Sequence, residues 1–176
     1  MDRSVEQLVD EILVMDCQSG SVKALEMLVS RWQKRLWRYA YNLSGDSEAA
    51  WDITQESWLG IIKGLRKLQD PANFRAWEYR ITTNKSADWI RKNNTKKQIS
   101  PEEIQSQKCT AKKEVGIKEL LEKLDTKKKA VLILYYFEEL SVPEISAALK
   151  VPKGMVKSRL HSARSELKEL YQKHNE

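Results

Sequence analysis

The chain has 176 residues, 41% of them hydrophobic, with six Trp, six Gly, four Pro and a formal net charge of +6. Scarce turn formers and the lack of alternating strand patterns exclude a sandwich or barrel, and point to an all-α protein of one sizeable domain or two small ones. Two distant cysteines, Cys17 and Cys109, and two histidines, His161 and His174, exclude a disulfide framework and leave no basis for a metal site or any other cofactor.

No stretch is long and apolar enough to span a bilayer and no leader pattern is visible, so a cytoplasmic protein with no direct membrane insertion is expected. The positive charge suggests a polyanionic partner, but with 25 acidic residues present the basicity must be local to matter.

Residues 4–16 place Val5, Leu8, Val9, Ile12 and Leu13 at helical spacing, ended by Ser19-Gly20. Residues 22–43 carry Ala24, Leu25, Leu28, Trp32, Leu36 and Tyr39 at three- and four-residue steps, a long amphipathic helix stopped near Gly45. Asp46 or Ser47 caps the next helix, whose apolar face reads Trp51, Thr54, Trp58, Ile61, Ile62 and Leu65. Asp70-Pro71 supplies a cap and a first-turn proline for a fourth helix, expected to run to about Lys92. From Asn93 to Lys113 the chain turns polar, holds Pro101 and loses apolar periodicity. We read 94–113 as a flexible linker between two small helical domains, 1–93 and 114–176. Helical pattern returns at Val115, Ile117, Leu120, Leu121 and Leu124, and Asp125 or Thr126 caps an apolar helix from Ala130 to Phe137.

Ser141 to Leu167 is the most informative stretch. Ser141 and Glu144 form a capping box, and Ile145, Ala148 and Leu149 give a short helix one apolar face. Lys150, Val151 and Pro152 break it, because the residue before a proline is driven out of the α region. Pro152 then suits the start of a second helix, with Val156, Leu160 and Ala163 inward and Lys153, Lys157, Ser158, Arg159, His161 and Arg164 outward. That pattern is a helix-turn-helix with a cationic second helix; a plain αα-hairpin with a solvated basic face has the same periodicity.

Two earlier stretches carry further chemistry. Asp52, Gln55, Glu56 and Leu59 cluster beside the apolar stripe of the third helix, a pattern that suits docking on a basic protein surface or simple solvation. On the fourth helix Trp77, Ile81, Asn84 and Asp88 share one stripe, and Arg80 and Arg91 lie near enough to partner the polar members. Tyr79, Trp89, Arg80, Lys85, Arg91 and Lys92 interleave rings with cations, the composition of a surface that stacks unpaired bases and tracks phosphates. Glu78 is expected to face away from such a strand.

Taken together, DITQESW (52–58), FRAWEYRITTNKSADWIRK (74–92) and the 141–167 helix-turn-helix resemble the bacterial RNA polymerase sigma factors of the extracytoplasmic-function (ECF) group, which retain regions two and four. The resemblance implies a subunit that binds core RNA polymerase and directs promoter-specific initiation, with no catalytic site. It assigns Asp52, Gln55, Glu56 and Leu59 to the beta-prime clamp. It assigns Asn73, Phe74, Arg80, Asn84, Lys85, Asp88, Trp89 and Arg91 to the minus-ten element, where the 68–74 loop and the fourth helix melt DNA and capture an extruded base; Asp88 is alternatively a structural partner of an arginine. It assigns Lys153, Lys157, Ser158, Arg159, His161 and Arg164 to the major groove of the minus-thirty-five element. Lys157 stands where many relatives have Arg, which loses a bidentate fork. Implied partners are core polymerase, promoter DNA and an anti-sigma factor. The competing readings are a stand-alone helix-turn-helix regulator, which lacks an evident dimerisation helix here, and a nucleic-acid enzyme, for which no phosphate loop or His–carboxylate cluster is present.

Overall fold

In a computed structural model, residues 5–99 and 117–175 are described, and among them the chain is entirely helical apart from turns. Helix α1 (Val5–Gln18) leads to α2 (Val22–Ser44), which Ser21 caps by accepting from the Ala24 N–H at 3.2 Å. Gly45 ends α2 in the left-handed region at φ 72°, its N–H bonded to the Tyr41 carbonyl at 2.8 Å. Glycine meets this need without a Cβ clash. Helix α3 (Ser47–Leu65) is capped by Asp46, whose carboxylate accepts from the Ala49 N–H at 2.9 Å. The far end of α3 is closed from outside, where the Gln18 amide donates to the Leu65 and Leu68 carbonyls at 3.0 and 2.7 Å. A 3-10 turn, Pro71–Asn73, capped by Asp70, delivers the chain into α4 (Phe74–Ile99).

These helices enclose a core of Leu28, Trp32, Leu36, Tyr39, Ile61, Leu65, Phe74 and Tyr79. Phe74 and Tyr79 meet Trp32 edge-on with centroids 6.0 Å away in each case. Each such side chain contributes about 1.5–3 kcal/mol by leaving water.

The second lobe comprises α5 (Ile117–Glu122), α6 (Thr126–Tyr136), α7 (Val142–Leu149) and α8 (Lys153–Asn175). Asp125 caps α6 through the Lys127 and Lys128 N–H groups at 2.8 and 3.2 Å. Residues 130–134 of α6 are all buried and form its centre, with Leu140, Ile145, Val156, Leu160 and Ala163 packed around them. The lobes are not separate. Helix α7 packs against α4 and α6 against α2, so one apolar cluster runs through both.

The all-α expectation and the capping box hold, and three details differ. Helix α4 continues past Lys92 to Ile99, so the first residues of the expected linker are helical. Lys96, Lys97 and Gln98 are good helix formers. The remainder of the expected linker lies outside the described residues. Trp51 and Ile62, expected on the buried face of α3, are 45% and 46% exposed. They lie about 115° and 135° around the helix from the middle of the stripe formed by Ala50, Ile53, Ser57 and Ile61. Pro152 stands just before α8 rather than inside it, its carbonyl accepting from Met155 and Val156 at 2.9 and 3.1 Å.

Candidate nucleic-acid interface

The outer face of α3 presents Asp52, Gln55, Glu56 and Leu59 to solvent, with Leu59 57% exposed among polar neighbours. The exposed Trp51 and Ile62 flank them, so the patch is apolar at its edge and acidic across its middle. The opposite face is sealed, since Thr54 and Ser57 donate their hydroxyls to the Ala50 and Ile53 carbonyls at 2.6 and 2.7 Å. Glu56 accepts a hydrogen bond from Lys85 Nζ at 2.9 Å, and that bond holds its carboxyl below the usual range.

Helix α4 separates its expected DNA residues into groups. Asn73, Asn84, Asp88 and Arg91 are exposed, while Arg80, Lys85 and Trp89 are half-buried. Asp88 is bridged to Arg91 at 2.5 Å, matching the structural alternative for Asp88. Trp89 packs against the small cluster of Ala40, Ala49, Ala50 and Ile53. Phe74 is a correction. It is 1% exposed and wedged between Trp32 and Trp77, so its ring belongs to the core and cannot reach a DNA strand. Its assignment to the strand came from the family resemblance, whereas the 3-10 turn before it delivers the ring into the core.

Next to Phe74 the chain does form a recess. A cavity of about 450 Å³ is lined by Gly64, Lys67, Leu68, Gln69, Asp70, Asn73 and Trp77. A Cβ on Gly64 would sit 2.7 Å from Trp77 Cζ2, so the bare glycine lets the indole lie flat at the wall. Of these residues, sequence reasoning nominated Asn73 as a contact and the 68–74 loop only as a whole. Gly64 and Lys67 were missed, and the available signal was a glycine late in a helix next to a polar, cationic loop.

In the second lobe the turn between α7 and α8 is rigidly built. The Ser141 N–H is accepted by the Glu144 carboxylate at 2.7 Å, and Ser141 Oγ accepts the Glu144 N–H at 3.4 Å. At the other end Lys150 adopts φ 52°, and the Ser146 hydroxyl donates across the turn to the Val151 carbonyl at 2.6 Å. With the turn fixed, α8 buries Val156, Leu160 and Ala163 and leaves Lys153, Lys157, Ser158, His161 and Arg164 exposed, with Arg159 half-buried. Arg164 is not wholly free to reach outward, because its guanidinium lies over the Tyr135 and Tyr136 rings at 5.4 Å from each. Among the described residues, no group of three or more His, Cys, Asp or Glu could hold a metal ion, and no helix is long and apolar enough to cross a membrane.

Comparison with known proteins agrees with both halves. Residues 28–96 match the family described as Sigma-70 region 2, and residues 115–167 match Sigma-70, region 4. The ECF RNA polymerase sigma factor SigE of Mycolicibacterium smegmatis is 30% identical over 89% of this chain, which spans 65% of that protein's length. SigW of Bacillus subtilis is 25% identical, covering 88% of this chain and 92% of SigW. YlaC of Bacillus subtilis, an RNA polymerase sigma factor, is 30% identical over 82% of this chain and 90% of its own. Among solved structures, CnrH in complex with the cytosolic domain of CnrY aligns with a TM-score of 0.71 at 26% identity, covering 93% of this chain and 97% of CnrH. The sigma factor RpoE of Bartonella quintana shares the fold at a TM-score of 0.72 and 22% identity, over 86% of this chain and 98% of RpoE. An acidic patch, a cationic helix beside a recess and a locked helix-turn-helix thus occur on one chain whose two halves match the family's two regions in order, and the protein belongs to the ECF sigma factors, which direct RNA polymerase to promoters.

Proposed function

We propose that the chain is a non-catalytic initiation subunit acting in the cytoplasm, with its work divided between residues 1–93 and 114–176. Asp52, Gln55, Glu56 and Leu59 bind the polymerase beta-prime clamp. Asn73, Asn84, Lys85, Trp89 and Arg91 engage the opened minus-ten strand, with Arg80 and Asp88 shaping that surface. The recess walled by Gly64, Lys67, Asn73 and Trp77 receives one extruded base, since it offers an apolar indole face beside polar edge-readers. Lys153, Lys157, Ser158, Arg159, His161 and Arg164 address the minus-thirty-five major groove, where cationic side chains donate to guanine O6 and N7.

The observation that carries this reading is the division on α8, whose apolar side chains are buried while the nominated ones reach solvent from a fixed turn. CnrH was solved with the cytosolic domain of CnrY, and this supports a protein partner that restrains the present chain; an anti-sigma factor is the class expected. Transcription in vitro with core polymerase on a promoter library tests the proposal. Initiation should be confined to templates sharing two spaced elements. Binding to duplex sites without polymerase, and no stimulation of transcription, would favour a stand-alone regulator.

A further inference from the structure

Helix α1 is apolar on two opposite faces. Leu13 and Val14 turn inward and are buried, and Asp10 beside them is bonded to Arg31 Nε at 2.8 Å. On the far side Val5, Leu8, Ile12 and Met15 stand in water at 78%, 50%, 45% and 48% exposure. Their steps of three, four and three residues are those of a and d positions in a coiled coil. At 100° per residue they fill an arc of about 80°, and no polar side chain of α1 falls inside it. A surface helix of a folded domain needs one such stripe, toward the core; a second one pointing outward marks a surface that something covers. The borders of this stripe are acidic. Asp16 lies along one edge and Glu11 along the other. The whole helix carries Glu6, Asp10, Glu11 and Asp16 and neither Lys nor Arg, in a chain whose formal net charge is +6. The stretch matched to region 2 begins at residue 28, so α1 stands before it, and none of the side chains proposed to meet polymerase or DNA lies on α1.

We propose that the outer face of α1 is a docking stripe for a basic amphipathic helix of another protein, laid along Val5, Leu8, Ile12 and Met15 with Lys or Arg beside Glu11 and Asp16. The spacing calls for a helix, because side chains at a and d mesh with the holes of a second helix. The borders call for a basic one. Two copies of α1 packed on each other would set acid against acid, whereas a basic helix sets opposite charges along both edges. The size agrees, since roughly 400 Å² of the four residues is exposed, about half of what each partner contributes to a stable interface. That area suits one bound helix rather than the pairing of whole chains. A helix on this stripe occupies none of the side chains nominated for polymerase or DNA. The inference therefore goes beyond the sigma-factor reading and does not depend on it.

Fluorescence anisotropy on the full chain tests it. The probe is a labelled synthetic peptide of three heptads with Leu at a and d and Lys at e and g, whose lysines also keep it from pairing with itself. The peptide should bind, and a peptide of the same composition in scrambled order should not. Leu8→Gln with Ile12→Gln, which keeps helix propensity, should weaken binding by about tenfold or more while the melting temperature stays at the parental value. Asp16→Lys should weaken binding of the lysine peptide and improve binding of a counterpart with Glu at e and g. Equal binding of the scrambled peptide, or unchanged affinity in the glutamine variant, would overturn the stripe. Indifference to the Asp16→Lys reversal would overturn the basic partner. Two other occupants have signatures of their own, and either would overturn the proposal. A parent that sediments as a dimer, with a glutamine variant that sediments as a monomer, would make the occupant a second copy. A glutamine variant that melts well below the parent would mean that the chain's own residues cover the stripe.

Discussion

Glu78 lies fully buried on α4 with neither carboxylate oxygen hydrogen-bonded. Burial pushes its pKa well above the ordinary glutamate range, Asp10 and Glu138 push the same way, and Arg35 and Arg75 oppose them. The folded chain therefore keeps this proton to higher pH than the unfolded chain does. The stabilisation linked to it is fully present below the usual glutamate pKa, about 4.3, and is lost as pH rises through the elevated folded value. Glu78→Gln keeps the shape and removes the charge. Its stability relative to the parent should rise steadily across that window, reaching about 1–3 kcal/mol at the alkaline end. Thermal melts of both proteins over a pH series check this, and a constant difference would mean another group titrates. The sequence told that Glu78 faces away from a DNA strand. Its burial was not legible, because the groups around it come from α1, α2 and the distant 138–140 loop.

At the scale of elements, the helix-turn-helix was the most legible part. Its determinants are local: a serine three residues before a glutamate, and a proline after a break. Ser141→Ala removes the acceptor for the Glu144 N–H and should cost about 1 kcal/mol, read as a lowered denaturation midpoint with an unchanged slope. A loss confined to the slope would point to the unfolded state instead. Other elements were read less well, for non-local reasons. Periodicity identified α3 but placed Trp51 and Ile62 inside, since the width of a buried stripe depends on how α2 and α4 press on it. Polarity suggested that α4 ended near Lys92, yet a helix needs no apolar face once an anchored one is already propagating. Phe74 illustrates the limit most clearly. The family resemblance placed it at the DNA strand, and only the edge-on packing against Trp32 assigns it to the core.

For the whole molecule, the sequence distinguished two helical lobes but not their docking. The residues that join them, Glu138 with Arg75 and Tyr79, stand about sixty positions apart in the chain and match no motif. The patch on α3 proposed to meet polymerase belongs to this scale because its value depends on an outside partner. Asp52→Ala with Gln55→Ala removes exposed side chains that bury nothing, so melting temperature should stay within a degree or two of the parent. Affinity for core polymerase, measured by fluorescence anisotropy, should fall by roughly tenfold, about 1.4 kcal/mol. Retained affinity would remove the clamp assignment while leaving the fold intact.

The ion pair between Glu56 and Lys85 joins α3 to α4 and so ties the patch proposed to meet polymerase to the helix proposed to meet DNA. One ammonium cannot serve a carboxylate and a phosphate equally well. If a basic residue of the clamp takes over Glu56, Lys85 is released toward the strand, and by reciprocity a strand that captures Lys85 leaves Glu56 more available to the clamp. An exposed pair of this kind is worth at most about 1 kcal/mol. That is a modest handover of partners, but under the proposed roles it would make the two binding events help each other through a single bond already formed in the folded chain.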